Sequence, residues 1–211
     1  MTRVTKTKQI GLLGAGELGR QLQHLLTLRN PETKFVLFDD VPSRAQFPFG
    51  AYREARFDSL EFYVGLGYRH LKKRAEVLRD LKALGRSVPS FIHPSCYVGE
   101  AKIGDGAVLY PLCNLGEGVV LEDGVILNNS VTLSHHTFVG ESSYLSPSVT
   151  TSGGVRIGKH SFLGTGVLIS DGVTLGEGTR VGIGSVLTRN CPANASVIGN
   201  PARQLERGLG I

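Results

Sequence analysis

Tryptophan is absent, Met occurs once, and the rings are limited to nine Phe and six Tyr. Glycine instead reaches 28 residues, nearly twice its usual share of about 7%, so the fold must rest on an unusual backbone rather than on ring packing. Cysteine is scarce as well. Cys96, Cys113 and Cys191 form no CxxC pair, which excludes a disulfide framework and a zinc knuckle and fits the cytosol. Nothing approaches the roughly 18 uninterrupted apolar residues of a membrane span, and MTRVTKTKQIGLLGAG holds no apolar stretch of signal-peptide length. The expected protein is cytoplasmic, neither exported nor inserted in a membrane.

A chain of 211 residues can bury a core without staples. Its charge is uneven. Residues 1–87 hold 16 Lys/Arg against 9 Asp/Glu, a net of +7, whereas residues 88–211 hold 7 against 9, a net of −2. Glycine divides at the same point, with 8 before it and 20 after. The composition predicts an α/β domain over 1–87, a repeat domain over 88–198 and a tail over 199–211. The basic half predicts an anionic partner. Its cations are scattered, apart from LKKR at 71–74, and are not interleaved with rings, so a phosphorylated small molecule fits better than nucleic acid.

Within the first part, Ile10–Leu13 reads as a strand, GAGELG as a turn, and Leu18, Leu22, Leu25 and Leu26 as one face of a helix. KFVLFDD follows as a second strand ending in Asp39 and Asp40, about 20 residues after Gly19, which is the spacing of the dinucleotide-binding fingerprint. Gly14 and Gly16 permit a tight turn and close approach of a ligand, helix N–H groups attract phosphate, and an acid at the next strand end accepts hydrogen bonds from it. A glycine turn that merely packs helix on strand would look the same. EFYVGLG, with Gly65 and Gly67, makes a third strand, and residues 69–84 a second helix. The result is a small Rossmann-like β-α-β unit, half of a dinucleotide domain, which excludes a dehydrogenase.

The second part is counted in sixes. From Ile103 to Leu187 every sixth residue is Leu, Ile or Val, with Thr151 the exception, and the fifth slot from Ala107 to Cys191 is always small or β-branched. Glycine gathers in slots two and four, where tight corners require φ > 0. Hexapeptide repetition is the signature of a parallel β-helix with three short strands and about 18 residues per coil. Slots one and five face inward, Ile92 and Val98 extend the pattern upstream, and the coil starts near Phe91. Cys113 and Cys191 fall in inward slots. His135, His136 and His160 fall in slots three and four and face outward.

GAGELG, Asp39–Asp40, FIHPS at 91–95, the unbroken hexads and the terminal IGNPARQL together resemble the hexapeptide-repeat acyltransferases. Within that family the likeness is to the sialic acid O-acetyltransferases and nucleotide-linked amino-sugar N-acetyltransferases, and it covers essentially the whole chain. It implies a left-handed β-helix, against the usual right-handed crossover rule, a homotrimer, and acetyl-CoA in the groove between subunits, with no metal.

The resemblance also implies site residues. His135 matches the family's base in an x-H-[DE]-x run, except that His136 stands where the acid would orient and charge-stabilise the imidazole. Another acid such as Glu141 substitutes, or the base works unassisted, or positioning alone suffices. Tyr144 stands where relatives often have a His near the acetyl group. Gly153 and Gly154 match the backbone N–H groups that meet the thioester oxygen, Thr165 and Ile183 those along the pantetheine arm, and Lys159 and Arg203 the coenzyme phosphates. Gly14, Ala15, Gly16, Asp39, Asp40 and Gly67 match positions that hold the nucleotide-linked sugar.

The expected function is acetyl-CoA-dependent N-acetylation of a nucleotide-linked amino-dideoxy sugar at its 4-amino group, in surface polysaccharide or glycan biosynthesis. An amine attacks with less help from a base than a hydroxyl does, which ranks N- above O-acetylation in the absence of the acid. Two rivals are a β-helical zinc hydratase, for which His136 and His160 lie on different faces, and a non-catalytic nucleotide-sugar-binding β-helix protein.

Overall fold

The computed structural model describes residues 9–206 and 208–209. The chain divides into two compact units, one comprising the chain up to Gly67 together with Glu76–Pro89, the other Tyr68–Ala75 together with the chain from Ser90 onward. No helix among the described residues is long and apolar enough to cross a membrane.

In the first unit, three parallel strands, β1 (Gln9–Leu13), β2 (Lys34–Phe38) and β3 (Glu61–Val64), form a sheet in the order β2-β1-β3. Helix α1 (Glu17–Arg29) connects β1 to β2 and buries Gly19, Leu22 and Leu26, the stripe expected of an amphipathic helix on a sheet. Leu13, Phe38, Phe57, Phe62, Val64 and Leu78 share one buried cluster. Phe38 and Phe57 meet edge to face with centroids 5.0 Å apart, a favoured ring geometry.

The second unit is a parallel β-solenoid of the left-handed type with about six turns. Its short strands stack on three sides. Side one carries Asn114–Leu115, Thr132–Leu133, Thr150–Thr151, Leu168–Ile169 and Val186–Leu187, and side two carries Lys102–Ile103 through Thr174–Leu175. Side three runs from Phe91–Ile92 through Tyr144–Leu145 to the antiparallel closing strand Arg203–Gln204. Partners such as Thr132 and Thr150 stand one full coil apart. Slots one and five fill the centre, mostly with Leu, Ile, Val and Ala and with buried Thr and Ser at positions such as Thr137, Ser143, Thr151 and Ser161, each fully buried aliphatic side chain contributing about 2 kcal/mol.

The two glycine slots work differently. Slot four is left-handed at corner after corner, as at Gly154 (φ +64°) and also at His136 and His160 (both φ +57°). Slot two is a matter of clearance: a methyl at Gly104 would lie 2.6 Å from the Asp123 backbone nitrogen of the next coil.

The first and last coils are shorter than the hexad count implies. Phe91 pairs with Val108 rather than Leu109, and Tyr97 bridges Asn114 rather than Leu115. Leu175 bridges Cys191, where a full coil would have brought it to Ala193. Cys191 therefore stands opposite the slot-one Leu175 rather than in slot five, half-buried and still packed against the solenoid core, because the chain tightens as the solenoid closes.

At the first end Arg74 is fully buried. Its guanidinium donates to the carbonyls of Gly106 at 2.7 Å and Gly124 at 2.8 Å, and burial lowers its pKa to about 10.

Candidate active site

The glycine loop of the first unit is built by close packing. Gly14 ends β1 with φ +89° and donates its N–H to the Phe38 carbonyl at 2.8 Å. A methyl at Gly19 or at Gly65 would run into the Gly14 carbonyl oxygen, so these glycines let helix and strand touch. Gly16 has open space where a methyl would be and caps α1 without a side-chain hydrogen bond, leaving first-turn N–H groups directed at whatever lies there.

Asp39 is already engaged. Its Oδ2 accepts the Ala15 N–H at 2.8 Å and its Oδ1 the Val41 N–H at 2.9 Å, while Asp40 Oδ1 accepts the Phe49 N–H at 3.1 Å. Both acids thus shape the loop, and a carboxylate oxygen so engaged still offers a second lone pair. Gly67 meets Leu18 only at ordinary contact distance.

In the second unit, His135 and His136 occupy the corner between sides one and two. Their Nδ1 atoms are 3.2 Å apart and the rings meet edge on, with centroids 5.4 Å apart. Each ring rests on a glycine. The His135 ring fills the space a methyl would take on Gly153, one coil on, and His136 packs where a methyl on Gly118, one coil back, would be 3.0 Å from its Cδ2. Because Gly153 has no side chain, Asp171 of the following coil reaches the same spot, its Oδ1 lying 2.9 Å from where that methyl would be.

The Gly154 N–H donates to the His135 carbonyl at 2.9 Å, so it anchors the histidine and does not offer itself to a thioester. The Gly153 N–H has no acceptor among the described residues. The same holds for the N–H groups of Thr165 and the strongly exposed Ile183, both on the corner between sides three and one.

Three expectations change. Glu141 stands on another corner, with its Oε2 3.8 Å from Nε2 of His160, so it is not the acid of His135. Lys159 pairs with Glu177 at 3.6 Å and lines a hollow of about 330 Å³ with Glu122, Asp123 and Glu141, carboxylates that would repel a coenzyme phosphate. Tyr144 lies on side three, its ring stacked on Phe162 at 5.9 Å and its hydroxyl accepting the Asn128 amide at 2.9 Å, away from His135 within one chain.

His160 also departs from a free outward position, since its side chain is only 10% exposed, with Glu177 Oε1 3.5 Å from Nδ1. Arg203 is exposed at the closing end and lines a pocket of about 280 Å³ with Arg189. Arg189 and Asp171 join the candidate residues. Their signal was a count in whole coils from His135 and Gly153, which puts all four on the same corner.

No protein-family model and no curated protein matches the chain. Solved structures do. The acetyltransferase domain of PglB from Neisseria gonorrhoeae is 30% identical, with a TM-score of 0.85, over 94% of this chain and 100% of that one. The same domain in complex with acetyl coenzyme A aligns at 28% identity and a TM-score of 0.86 over 95% and 100%. PerB from Caulobacter crescentus, in complex with CoA and GDP-perosamine, aligns at 25% identity and 0.84 over 94% and 97%. With a solenoid counted in sixes and a likeness to the PglB domain along its whole length, the chain belongs to the hexapeptide-repeat acyltransferases.

Proposed function

We propose that this enzyme transfers the acetyl group of acetyl-CoA to the amine of a nucleotide-linked amino sugar. The observation that carries the reading is the His135 ring seated on Gly153, beside an uncommitted Gly153 N–H, in a chain similar to PglB and PerB. The sugar amine attacks the thioester carbonyl, its proton passes to Nε2 of His135, and the developing oxyanion takes the Gly153 N–H. Collapse of the tetrahedral adduct breaks the C–S bond, and the thiolate recovers the proton as coenzyme A leaves.

The first unit is the Rossmann-like nucleotide-sugar module, with Gly16 and the α1 N-terminus at the phosphates and Asp39 and Asp40 at the nucleoside. The sugar presents its 4-amino group, and the product serves surface polysaccharide or glycan assembly in the cytoplasm. The pantetheine arm follows the N–H groups of Thr165 and Ile183, and Arg203 meets the coenzyme phosphates.

His135 and Thr165 stand on different corners of one solenoid, so a groove holding both needs a second copy of the chain. Tyr97, Leu112, Leu168 and Ile183 are large, apolar and exposed on side one and its adjoining corner, as expected of a surface covered by another subunit in a homotrimer.

The test is thiol release from acetyl-CoA with UDP- and dTDP-linked 4-amino and 3-amino sugars, beside His135→Ala. Turnover with one amino sugar, cut about a hundredfold in the variant, is the expected result. Release only with hydroxyl acceptors would overturn N-acetylation. In sedimentation, the double variant Leu168→Asp/Ile183→Asp is expected to run as a monomer where the parent runs as a trimer; a monomeric parent would refute the assembly.

A further inference from the structure

We infer that His136 serves as a proton relay for His135, so that a pair of imidazoles does the work of an imidazole and a carboxylate. The inference rests on His135 being the base of the acetyl transfer proposed above.

The Nδ1 atoms are 3.2 Å apart. One proton lies between them, because two Nδ1–H groups cannot face each other at that distance and two bare lone pairs would repel. With that proton on His135, its Nε2 carries the free lone pair that a base requires. His136 then accepts at Nδ1 and is the group that fixes the tautomer.

The pair is held from both sides. The His135 ring occupies the place of a side chain on Gly153, and the His136 ring lies against the bare Cα of Gly118. The backbones are held too: the His136 N–H donates to the Glu117 carbonyl at 2.8 Å, and the His135 carbonyl accepts from Gly154 at 2.9 Å. His136 has the left-handed backbone of slot four, φ +57°, which glycine also accepts.

The proton balance closes. As the amine attacks, its proton bonds to Nε2 of His135 while the Nδ1 proton of His135 crosses to Nδ1 of His136. His135 ends neutral, protonated at Nε2, and His136 becomes the cation. When the C–S bond breaks, the Nε2 proton goes to the thiolate and the Nδ1 proton returns. Charged side chains on this corner are Glu100 and Glu117 on earlier coils, and Asp171 and Arg189 on later ones. Asp171 faces the His135 side over Gly153.

The test compares His136→Gly and His136→Glu with the parent, measuring kcat, KM and the pH–rate profile. Glycine accepts the left-handed backbone, so the fold should be kept, and the melting curve checks this. His136→Gly should lower kcat at least tenfold with KM for both substrates within threefold. His136→Glu should recover most of kcat and move the acid limb of the profile up by about one pH unit, because a carboxylate favours the imidazolium form of His135. A second readout needs no turnover: in ¹⁵N-histidine spectra of the free protein the His135 Nδ1 and Nε2 signals, which report the tautomer, should change in His136→Gly. Unchanged kcat and unchanged ¹⁵N signals of His135 in His136→Gly would overturn the relay. Failure of the acetyl-transfer reading looks different, as a parent without turnover in which His136→Gly still changes the ¹⁵N signals of His135.

Discussion

Neighbouring glycines on one corner should respond to the same methyl in opposite ways. At Gly153 the backbone lies outside the left-handed region, so an added methyl costs no torsional strain, but it lands on the Cε1 and Nε2 atoms of His135 and 2.9 Å from Asp171 Oδ1. The exposed His135 ring is the group able to yield. Stability should change by less than about 1 kcal/mol, while displacing the base by about 1 Å should cost about a hundredfold in kcat. At Gly154 the methyl meets nothing nearer than the Gly172 Cα at 4.0 Å, but φ is +64°, and alanine there costs about 1–2 kcal/mol. Thermal melting and thiol release from acetyl-CoA, run side by side on both alanine variants, separate the two effects. Gly153→Ala should melt with the parent and turn over about a hundredfold more slowly, whereas Gly154→Ala should melt several degrees lower with kcat within fivefold. A Gly153→Ala enzyme with the parent's kcat would refute the placement of the base.

Other outcomes follow from the same contacts. Arg74→Leu strips the Gly106 and Gly124 carbonyls of their buried donor and should destabilise by about 3 kcal/mol, read as a melting point about 10 °C lower. The neighbouring Cys113 thiol lowers the pKa of Cys96; alkylation of Cys96 should set in at lower pH than for an ordinary thiol, and Cys113→Ala should move its midpoint upward, an unmoved midpoint counting against the contact. Asp39→Ala releases the Ala15 and Val41 N–H groups and should raise KM for the nucleotide sugar about tenfold while leaving that for acetyl-CoA within twofold, as steady-state kinetics will report.

Two periods account for what could and could not be read from the residues. The period of six is written in side-chain size, because inward slots admit only aliphatic or small residues, and it located the coils, the buried columns and the outward placement of His135. The side of the solenoid depends on position within a whole coil of three hexads, which side-chain size does not encode. That is why side-chain size alone does not separate the corner of Glu141, one hexad beyond His135, from that of His135, nor bring Asp171, two whole coils on, to it. The carboxylate surroundings of Lys159 are hidden for the same reason: its neighbours are Glu141 and Glu177, one coil to either side. In the first unit the glycine spacing and both acids were readable. The engagement of Asp39 with Ala15 was not, since hydrogen-bond partners leave no trace in spacing.

The stacked corners make the solenoid behave like a three-lane track on which each residue's lane is set by chain length alone. Removing a whole coil between two positions shortens the track and leaves both in their lanes. Removing one hexad instead moves everything downstream to the next lane, carrying Asp171 away from His135 and Thr165 off its corner, although every buried slot would still be filled by a suitable residue. The core therefore tolerates indels of single hexads, and the chemistry only those of whole coils.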